Sequence, residues 1–290
     1  MSRDIDHLVL PVSSLEDARG RLSSLGFTVS ASAKHPFGTE NACVFLKDGT
    51  YLEPLAISDA GTYSMNAMSG SAFVSKDKRF RDQRGQNGMS ALVAKSENAD
   101  SDHEHFIAAG LSGGDPFSFS RPVTLPDGNT SQASFRLAFA GDNASDVFFF
   151  SCQRIAALPA DRSDLERHKN GVTGIHQVVL SADKPSNFTR LIELVFDATA
   201  VGEGEEELYV QASSVGIRLV RPAAAQHFFD APPQSIGPGL NGEAIVFSVS
   251  DLAVTAAVLA ANGVAYTRKG ARVLVQPASG QGAIFAFEEL

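Results

Sequence analysis

The sequence predicts an α+β fold built from four copies of one βαβββ module. Two observations support this prediction: the order strand, helix, strand, strand, strand returns four times, and turn or loop signals separate the copies. The copies begin near residues 5, 89, 174 and 243 of the 290-residue chain. Because one helix covers only one face of a four-stranded sheet, the other face must be completed by a second module or meet solvent. Paired modules would form two half-open barrels, each with a concave face suited to a small ligand.

The first module shows the pattern most clearly. Residues 5–10 read IDHLVL, an apolar strand, and residues 13–27 read SSLEDARGRLSSLGF, an amphipathic helix that Gly26 ends. The runs FTVSAS, NACVFL and TYLEPLAI then read as strands, and Asp48-Gly49 between the last two is a strong hairpin signal. Over the four modules, the repeat predicts helices near residues 13–25, 99–110, 186–196 and 251–262.

The segments between the modules have a different composition. Residues 59–88 and 155–173 are rich in charged and turn-forming residues, and residues 222–242 contain several prolines and glycines. We interpret all three as linkers or covering loops. The predicted division is an N-terminal half, residues 1–155, with modules one and two, and a C-terminal half, residues 172–290, with modules three and four. The concave faces of these halves are called the N-terminal cup and the C-terminal cup below.

Composition narrows the partners that we expect. The net charge is −9 and the pI is about 5.2, which disfavours nucleic acid. The N-terminus lacks an apolar signal core, and no apolar run approaches the roughly 20 residues that span a bilayer. Cys43 and Cys152 lie in apolar runs without CxxC spacing, so buried, inert thiols are favoured. We therefore expect a cytoplasmic protein without membrane partners, and a homodimer is compatible with these features.

The motifs resemble a known superfamily. The segments DHLVLPVSSLEDA and HPFGTENACVFLKDGTYLEPLAI are similar to the opening module of vicinal-oxygen-chelate proteins, in particular the glyoxalase-like domain proteins, and FFFSCQR and RHKNGVTGIHQVVL resemble the middle of that family. The superfamily includes glyoxalases, dioxygenases, epimerases, thiol transferases and drug-binding proteins. The resemblance implies that the protein binds a small polar organic molecule in the N-terminal cup. The protein would then be a lyase, an isomerase or a dioxygenase. The alternatives are a non-catalytic protein that sequesters a small molecule and a structural or interaction protein whose cup has lost its site.

The resemblance also implies where a divalent metal would bind. Each module can supply a His on its first strand and a Glu on its last strand. Module one supplies His7 and Glu53. The corresponding positions of the other modules would be Ser90 and Phe150, His176 and Val220, and Ala244 and Ala286. A four-ligand site is therefore not expected, but His7, Glu53 and His176 would form a triad if module one paired with module three or if a dimer brought them together.

Other polar residues on or beside the predicted strands are candidates for a ligand site. His35, Thr39 and Asn41 surround Gly38, and Arg121 and Arg136 lie on the strands of module two that should face module one. We predict catalytic roles for Glu53 and His35, because a histidine can transfer a proton near neutral pH. Substrate-binding roles are predicted for His7, Thr39, Asn41, Arg121 and Arg136. For several of these an ordinary structural role remains the alternative: a turn cap for Asn41, and a salt bridge or rim position for the arginines. Arg154 could close the mouth of the cup.

Overall fold

The computed structural model describes residues 2–124, 130–141, 146–155, 161–202, 206–231 and 239–290, which form two mixed sheets. Sheet A contains β1 (Ile5–Pro11), β2 (Ala33–Lys34), β3 (Thr39–Asn41), β4 (Val44–Phe45), β5 (Tyr51–Ile57), β6 (Ala91–Ser96), β7 (Phe117–Thr124), β8 (Thr130–Ala140) and β9 (Phe148–Arg154). Sheet B contains β10 (Val172–Ser181), β11 (Ala200–Val201), β12 (Glu207–Ala212), β13 (Val215–Val220), β14 (Asn241–Val249), β15 (Thr267–Lys269), β16 (Arg272–Val275) and β17 (Ile284–Glu289).

Seven α-helices accompany the sheets in the described residues. They are α1 (Leu15–Ser24), α2 (Ala60–Met68), α3 (Ala72–Arg84), α4 (Ala99–Ala108), α5 (Thr189–Phe196, after a 3₁₀ turn at Pro185–Phe188), α6 (Pro222–Phe229) and α7 (Leu252–Ala261). The helices α1, α4, α5 and α7 are the four that the repeat predicts. Three of them begin at a polar cap, where Ser14, Asn98 or Asp251 accepts a backbone N–H of the first turn. The α+β fold class and the modular repeat are confirmed.

Strand order shows how the modules pair. The order in sheet A is β2-β3-β5-β1-β6-β9-β8-β7, with β4 beside β5, and the order in sheet B is β11-β12-β13-β10-β14-β17-β16-β15. In each sheet the first strands of two modules lie antiparallel at the centre, β1 with β6 and β10 with β14. Module one therefore pairs with module two, and module three with module four.

Sheet A curls until its two ends approach each other. Phe37, in the loop before β3, contacts Phe117 and Phe119 of β7 with ring centroids 5.3 and 5.1 Å apart. Because the last strand meets a loop of the first module, the sheet surrounds a space instead of forming an open trough. Sheet A is thus a nearly closed half-barrel whose interior is the N-terminal cup.

One hydrophobic core joins the two sheets. It contains Leu22 of α1, Phe106 of α4, Phe196 of α5 and Leu259 of α7, together with inward side chains of both sheets. Side chains alternate along a strand, so residues on the other face of each sheet belong to different clusters. In β1, Leu8 and Leu10 belong to the shared core, whereas Val9 faces the N-terminal cup. The two cups therefore lie on the faces that the shared core does not use.

The predicted strand FTVSAS is not a regular strand. Residues 27–32 carry no strand assignment, and pairing begins only at β2. The side chain of Arg19 in α1 donates hydrogen bonds to the carbonyl oxygens of Val29 and Ser30, which occupies acceptors that a neighbouring strand would need. Two hydrogen bonds join the segment to Cys43. The backbone N–H of Ser30 donates to the carbonyl oxygen of Cys43, and the N–H of Cys43 donates to Oγ of Ser30.

Residues 59–88 contain two helices, α2 and α3, and the prediction of a linker or loop there is wrong. Their apolar side chains Tyr63, Phe73 and Val74 pack onto the concave face of sheet A. A buried ion pair between Arg81 and Asp77, 2.8 Å long, anchors α3. Arg81 also donates to the carbonyl oxygens of Val12 and Leu55, at the ends of β1 and β5. The helices are thereby fixed to the sheet that they cover.

Part of the segment 222–242 is also helical, because α6 lies within it, whereas residues 232–238 lie outside the described residues. The side chains of Ala225 and Phe229 pack against Val179, Ala244 and Ala286 on the concave face of sheet B. This helix fills the C-terminal cup from the inside. No helix in the parts of the chain that the structure describes is long and apolar enough to cross a membrane.

Candidate functional site

The floor of the N-terminal cup holds a chain of three charged side chains. Nδ1 of His7 lies 2.7 Å from Oδ2 of Asp6, and its Nε2 lies 3.3 Å from Oε2 of Glu53. All three side chains are buried. Consecutive side chains of a regular strand point to opposite faces, but a β-bulge at Asp6 shifts the register of β1 and lets Asp6 reach His7. The imidazole is thus held between two carboxylates.

A second group of polar side chains comes from the segment before β3. Nδ2 of Asn41 donates to Oε1 of Glu53 at 2.6 Å and lies 3.3 Å from Nε2 of His35. Nδ1 of His35 lies 2.8 Å from Oγ1 of Thr39. If Nε2 accepts from Asn41, the proton of a neutral His35 is on Nδ1 and is donated to Thr39. Asn41 therefore connects His35 to the carboxylate of Glu53.

Gly38 explains why this segment can turn so tightly. Its φ is +92°, a left-handed conformation that side-chain-bearing residues rarely adopt. A Cβ at this position would lie only 2.5 Å from the backbone nitrogen of Tyr63 in α2. The glycine thus lets α2 approach the loop that carries His35 and Asn41.

Burial and neighbouring charges set the protonation states. Burial opposes the charged form of His7, but the hydrogen bonds to Asp6 and Glu53 outweigh it and raise the pKa of His7 above its ordinary value of 6.5. Burial also opposes the charged form of Glu53, yet the hydrogen bond from His7 and its charge lower that pKa to about 2. Burial lowers the pKa of His35 to about 4. At neutral pH the site therefore holds an ionised Glu53 and a neutral His35, and the two carboxylates beside His7 shift its equilibrium toward the imidazolium.

Three arginines also line the cavity. Arg154, at the end of β9, donates to both oxygens of Asp6 at 2.6 and 2.8 Å. Arg162 lies 4.2 Å above the ring of Phe45. Arg121 of β7 lies 5.9 Å from the centre of the Phe135 ring, and its buried Nε has no hydrogen-bond partner among the described residues. A buried guanidinium nitrogen without a partner is costly, and a ligand acceptor would remove that cost.

Aromatic rings form most of the remaining wall. The cavity has an empty volume of about 630 Å³, counted with its open mouth. Its aromatic and apolar lining consists of Phe37, Phe45, Tyr51, Phe73, Phe119, Phe135, Leu137 and Phe150, with the thiols of Cys43 and Cys152 between them. Burial raises the pKa of both thiols, so they stay protonated. A mostly aromatic lining with a few polar groups suits a small organic molecule.

The structure brings together most of the residues proposed from sequence. His7, His35, Asn41, Glu53 and Arg121 all line the cavity, and so does Arg154. Thr39 is buried behind them, where it contacts His35.

Arg136 lies outside the cup, contrary to the sequence interpretation. On β8 it pairs with Ser118 of β7, whereas Phe119 pairs with Phe135, so the alternation of β7 and β8 turns Arg136 to the outer face. There it forms an ion pair with Asp100 of α4.

Sequence reasoning missed two residues of the site, Asp6 behind His7 and Arg162 on the cavity wall. Asp6 could have been noticed as a carboxylate next to His7, but strand alternation places the two on opposite faces unless a bulge is assumed. Arg162 lies in the segment 155–173, which we interpreted as a linker or covering loop, and no local signal marks Arg162 as part of a site.

The register of the paired strands shows which residue of the C-terminal half is equivalent to His7, and it is not His176. His7 lies opposite Tyr51 in the β1–β5 pair, and Gln177 lies opposite Gly216 in the β10–β13 pair. Both first strands bulge just before these positions, at Asp6 and at His176. The counterpart of His7 is therefore Gln177, and His176 corresponds to Asp6.

The same register moves the counterpart of Glu53. Glu53 lies opposite Val9, and Arg218 lies opposite Val179, so Arg218 and not Val220 occupies the equivalent position. Arg218 forms an ion pair with Glu207 and lies 4.4 Å from the centre of the Phe228 ring of α6. The C-terminal cup thus has a cation where the N-terminal cup has a carboxylate.

The donor set does not fit a divalent metal. Both ring nitrogens of His7 face carboxylates, so neither is free to bind a metal, and among the described residues Glu53 is the one carboxylate that lines the cavity. Phe150 occupies the position where module two would supply a carboxylate. Within the described residues, no group of three or more His, Cys, Asp or Glu side chains is arranged to hold a metal ion. Within the chain the triad with His176 is not formed either, because His176 lies on β10 of sheet B.

Comparisons with known proteins agree with this architecture. The crystal structure of a hypothetical protein from Staphylococcus aureus matches with a TM-score of 0.70 at 12% identity, over 99% of both chains. A mutant of 4-hydroxymandelate synthase from Streptomyces coelicolor matches with a TM-score of 0.62 at 14% identity, over 99% of this chain and 92% of that one. The Mn(II)-bound glyoxalase from Novosphingobium aromaticivorans matches with a TM-score of 0.57 at 9% identity, over 100% and 83%. At these identities the likeness concerns the fold alone.

Sequence comparison gives the family. No curated protein matches the chain by sequence. The model of the glyoxalase-like domain family matches residues 5–196, which run from β1 to the end of α5 and include the whole of sheet A. The match covers more than half of the chain and contains the cavity described above. The chain belongs to the glyoxalase-like domain family.

Proposed function

We propose that this protein binds a small organic anion in the N-terminal cup. The observation that carries the proposal is Arg121, whose buried Nε has no partner among the described residues and whose guanidinium lines an aromatic cavity. Arg154 and Arg162 add positive charge to the same space, against the carboxylates of Glu53 and Asp6. Because positive groups outnumber carboxylates, the cavity favours a negatively charged guest.

The test is binding of small carboxylates, aromatic and aliphatic, measured by titration calorimetry at neutral pH. Arg121→Gln should weaken binding of the best carboxylate about tenfold or more, because a charge-assisted hydrogen bond is lost. Arg136→Gln is the matched control, since Arg136 lies on the neighbouring strand but faces outward. Equal weakening by both variants, or no binding of any carboxylate by the wild type, would refute the proposal.

A catalytic version of this site is the second candidate, as a lyase or isomerase that transfers a proton. It is favoured by one observation: neutral His35 and ionised Glu53 lie 3.9 Å apart and share the amide of Asn41. The low pKa values of both groups make them weak bases, so binding alone is the better-supported function. Exchange of ligand C–H protons in heavy water, followed by NMR with wild type and His35→Gln, separates the two. Exchange that depends on His35 supports catalysis.

A dioxygenase would need a metal, and the fit of the residues argues against one. Metal analysis of protein purified without chelator tests this independently. Iron, manganese, nickel or zinc near one equivalent would contradict the assignment of His7 and Glu53 to an ion-pair network.

A further inference from the structure

The charged groups of the N-terminal cup surround one common space. Glu53, Arg121, Arg154 and Arg162 line the same cavity, together with the thiol of Cys43. A molecule in this cavity is therefore surrounded by a carboxylate and three guanidinium groups. A guest that carries only a negative charge would satisfy the guanidinium groups but would bring a second negative charge into the cavity that the ionised Glu53 lines.

Glu53 has spare capacity to accept a hydrogen bond. In the described residues, Oε1 receives the amide of Asn41 and Oε2 faces His7, whereas an ionised carboxylate offers about four acceptor positions. The side chain lines the cavity. A donor on the ligand, such as a hydroxyl, would therefore find an ionised acceptor at the floor of the cup.

The walls favour a flat ring. Phe119 and Phe135 are stacked with centroids 5.0 Å apart, and Phe37 stacks on His35 at 4.9 Å. Phe150 meets His7 edge-on at 5.8 Å. Aromatic pairs in such arrangements gain about 0.5–1.5 kcal/mol beyond the burial of area, which corresponds to roughly two- to tenfold in affinity. An aliphatic body of similar size gains only the burial.

From these three features we infer that the ligand is an aromatic acid that also carries a hydroxyl or similar donor: the ring packs on the phenylalanines, the acid group meets Arg121, and the donor meets Glu53. This inference rests on the proposed binding of an organic anion. It adds the ring and the donor, which the proposed function does not require.

The experiment compares matched probes on the wild-type protein by titration calorimetry. Benzoate and cyclohexanecarboxylate differ in the ring. The 2-, 3- and 4-hydroxybenzoates and their fluoro counterparts differ in the donor at nearly constant shape. Benzoate should bind at least about threefold more tightly than cyclohexanecarboxylate. At least one hydroxybenzoate should bind about tenfold more tightly than its fluoro counterpart, because a hydrogen bond to a charged group is gained.

Glu53→Ala locates the acceptor. In this variant the advantage of the hydroxyl over fluorine should fall to about twofold or less, while the preference for benzoate over cyclohexanecarboxylate remains. The probe comparison on wild type needs no variant, so it decides the inference even where Glu53→Ala fails to fold.

The outcomes separate this inference from the proposed function. If cyclohexanecarboxylate binds as tightly as benzoate, or if no hydroxyl improves on fluorine, the inference is overturned while anion binding stands. If no carboxylate binds, both are overturned. A hydroxyl advantage that survives Glu53→Ala unchanged would overturn the role of Glu53 as the acceptor.

Discussion

In the N-terminal cup, α2 and α3 cover the concave face but leave a cavity around His7, Glu53 and three arginines. In the C-terminal cup, α6 packs Ala225 and Phe229 directly against the sheet. Both insertions follow the last strand of the first module of their half, so the topology is the same and only the contents differ. An insertion at the same place in this duplicated fold therefore covers a pocket in one half and fills it in the other.

The largest effect is expected from truncating a buried side chain of α6, the helix that fills the C-terminal cup. Phe229 is 1% exposed, and Phe229→Ala should lower the free energy of unfolding by about 3–5 kcal/mol because it leaves a cavity in a packed cluster. Urea unfolding measures this. The affinity for a carboxylate bound in the N-terminal cup should stay within about twofold in protein that is still folded. A tenfold loss of affinity would show that the two cups are not independent.

The next largest effect is expected on the free energy of unfolding at low pH. The pKa of Glu53 is lowered from 4.5 to about 2, so its carboxylate stabilises the folded state fully above pH 4.5 and this contribution is lost as the pH falls toward 2. The contribution is about 3 kcal/mol. Glu53→Gln should therefore flatten the dependence of unfolding free energy on pH between 4.5 and 2. Glu207→Gln, at a half-exposed position of β12, is the control and should leave the dependence unchanged.

A smaller effect should follow from removing the second carboxylate. Asp6→Asn takes away a hydrogen bond and a charge that raise the pKa of His7, so the ring should titrate at lower pH than in the wild type. Histidine ring signals in a proton NMR titration report this directly. Asp100→Asn, which removes the partner of Arg136 on the outer face, should leave His7 unchanged. An unchanged His7 in the Asp6 variant would contradict the role of the bulge.

The smallest effects are expected at the counterparts in the C-terminal half. His176→Ala and Arg218→Gln should each change stability by less than about 1 kcal/mol, because His176 is partly exposed and the ion pair of Arg218 is near the surface. Neither should alter carboxylate affinity. Loss of binding in His176→Ala equal to that in His7→Ala would return the triad of His7, Glu53 and His176 as the better interpretation.

The repeat predicted the fold because each module has its own periodic signals, and α1, α4, α5 and α7 lie where the repeat places them. The covering helices were missed for a physical reason. The buried face of α3 carries Asp77 and Arg81, which satisfy each other and so remove the apolar periodicity that marks a helix.

The site was predictable to the extent that strand alternation is regular. His7, Glu53 and Arg121 were placed in the cavity because each lies on a strand with apolar neighbours of clear period. The side chains do not alternate regularly at the two bulges. For this reason Asp6 was not predicted to contact His7, and the counterpart of His7 was taken to be His176 instead of Gln177. A one-residue bulge reverses which side chains face a cup, and the sequence carries no local mark of it.

The location of the ligand can be read from histidine side chains alone. His7 and His35 line the N-terminal cup, whereas His176 lies on β10 and His227 on α6 in the C-terminal half. Titration of the protein with 4-hydroxybenzoate, followed by the ring signals of these four histidines, should shift His7 and His35 with one shared saturation curve and leave His176 and His227 in place. Saturable shifts of His176 or His227 with His7 and His35 unmoved would contradict the central claim that the N-terminal cup is the binding site.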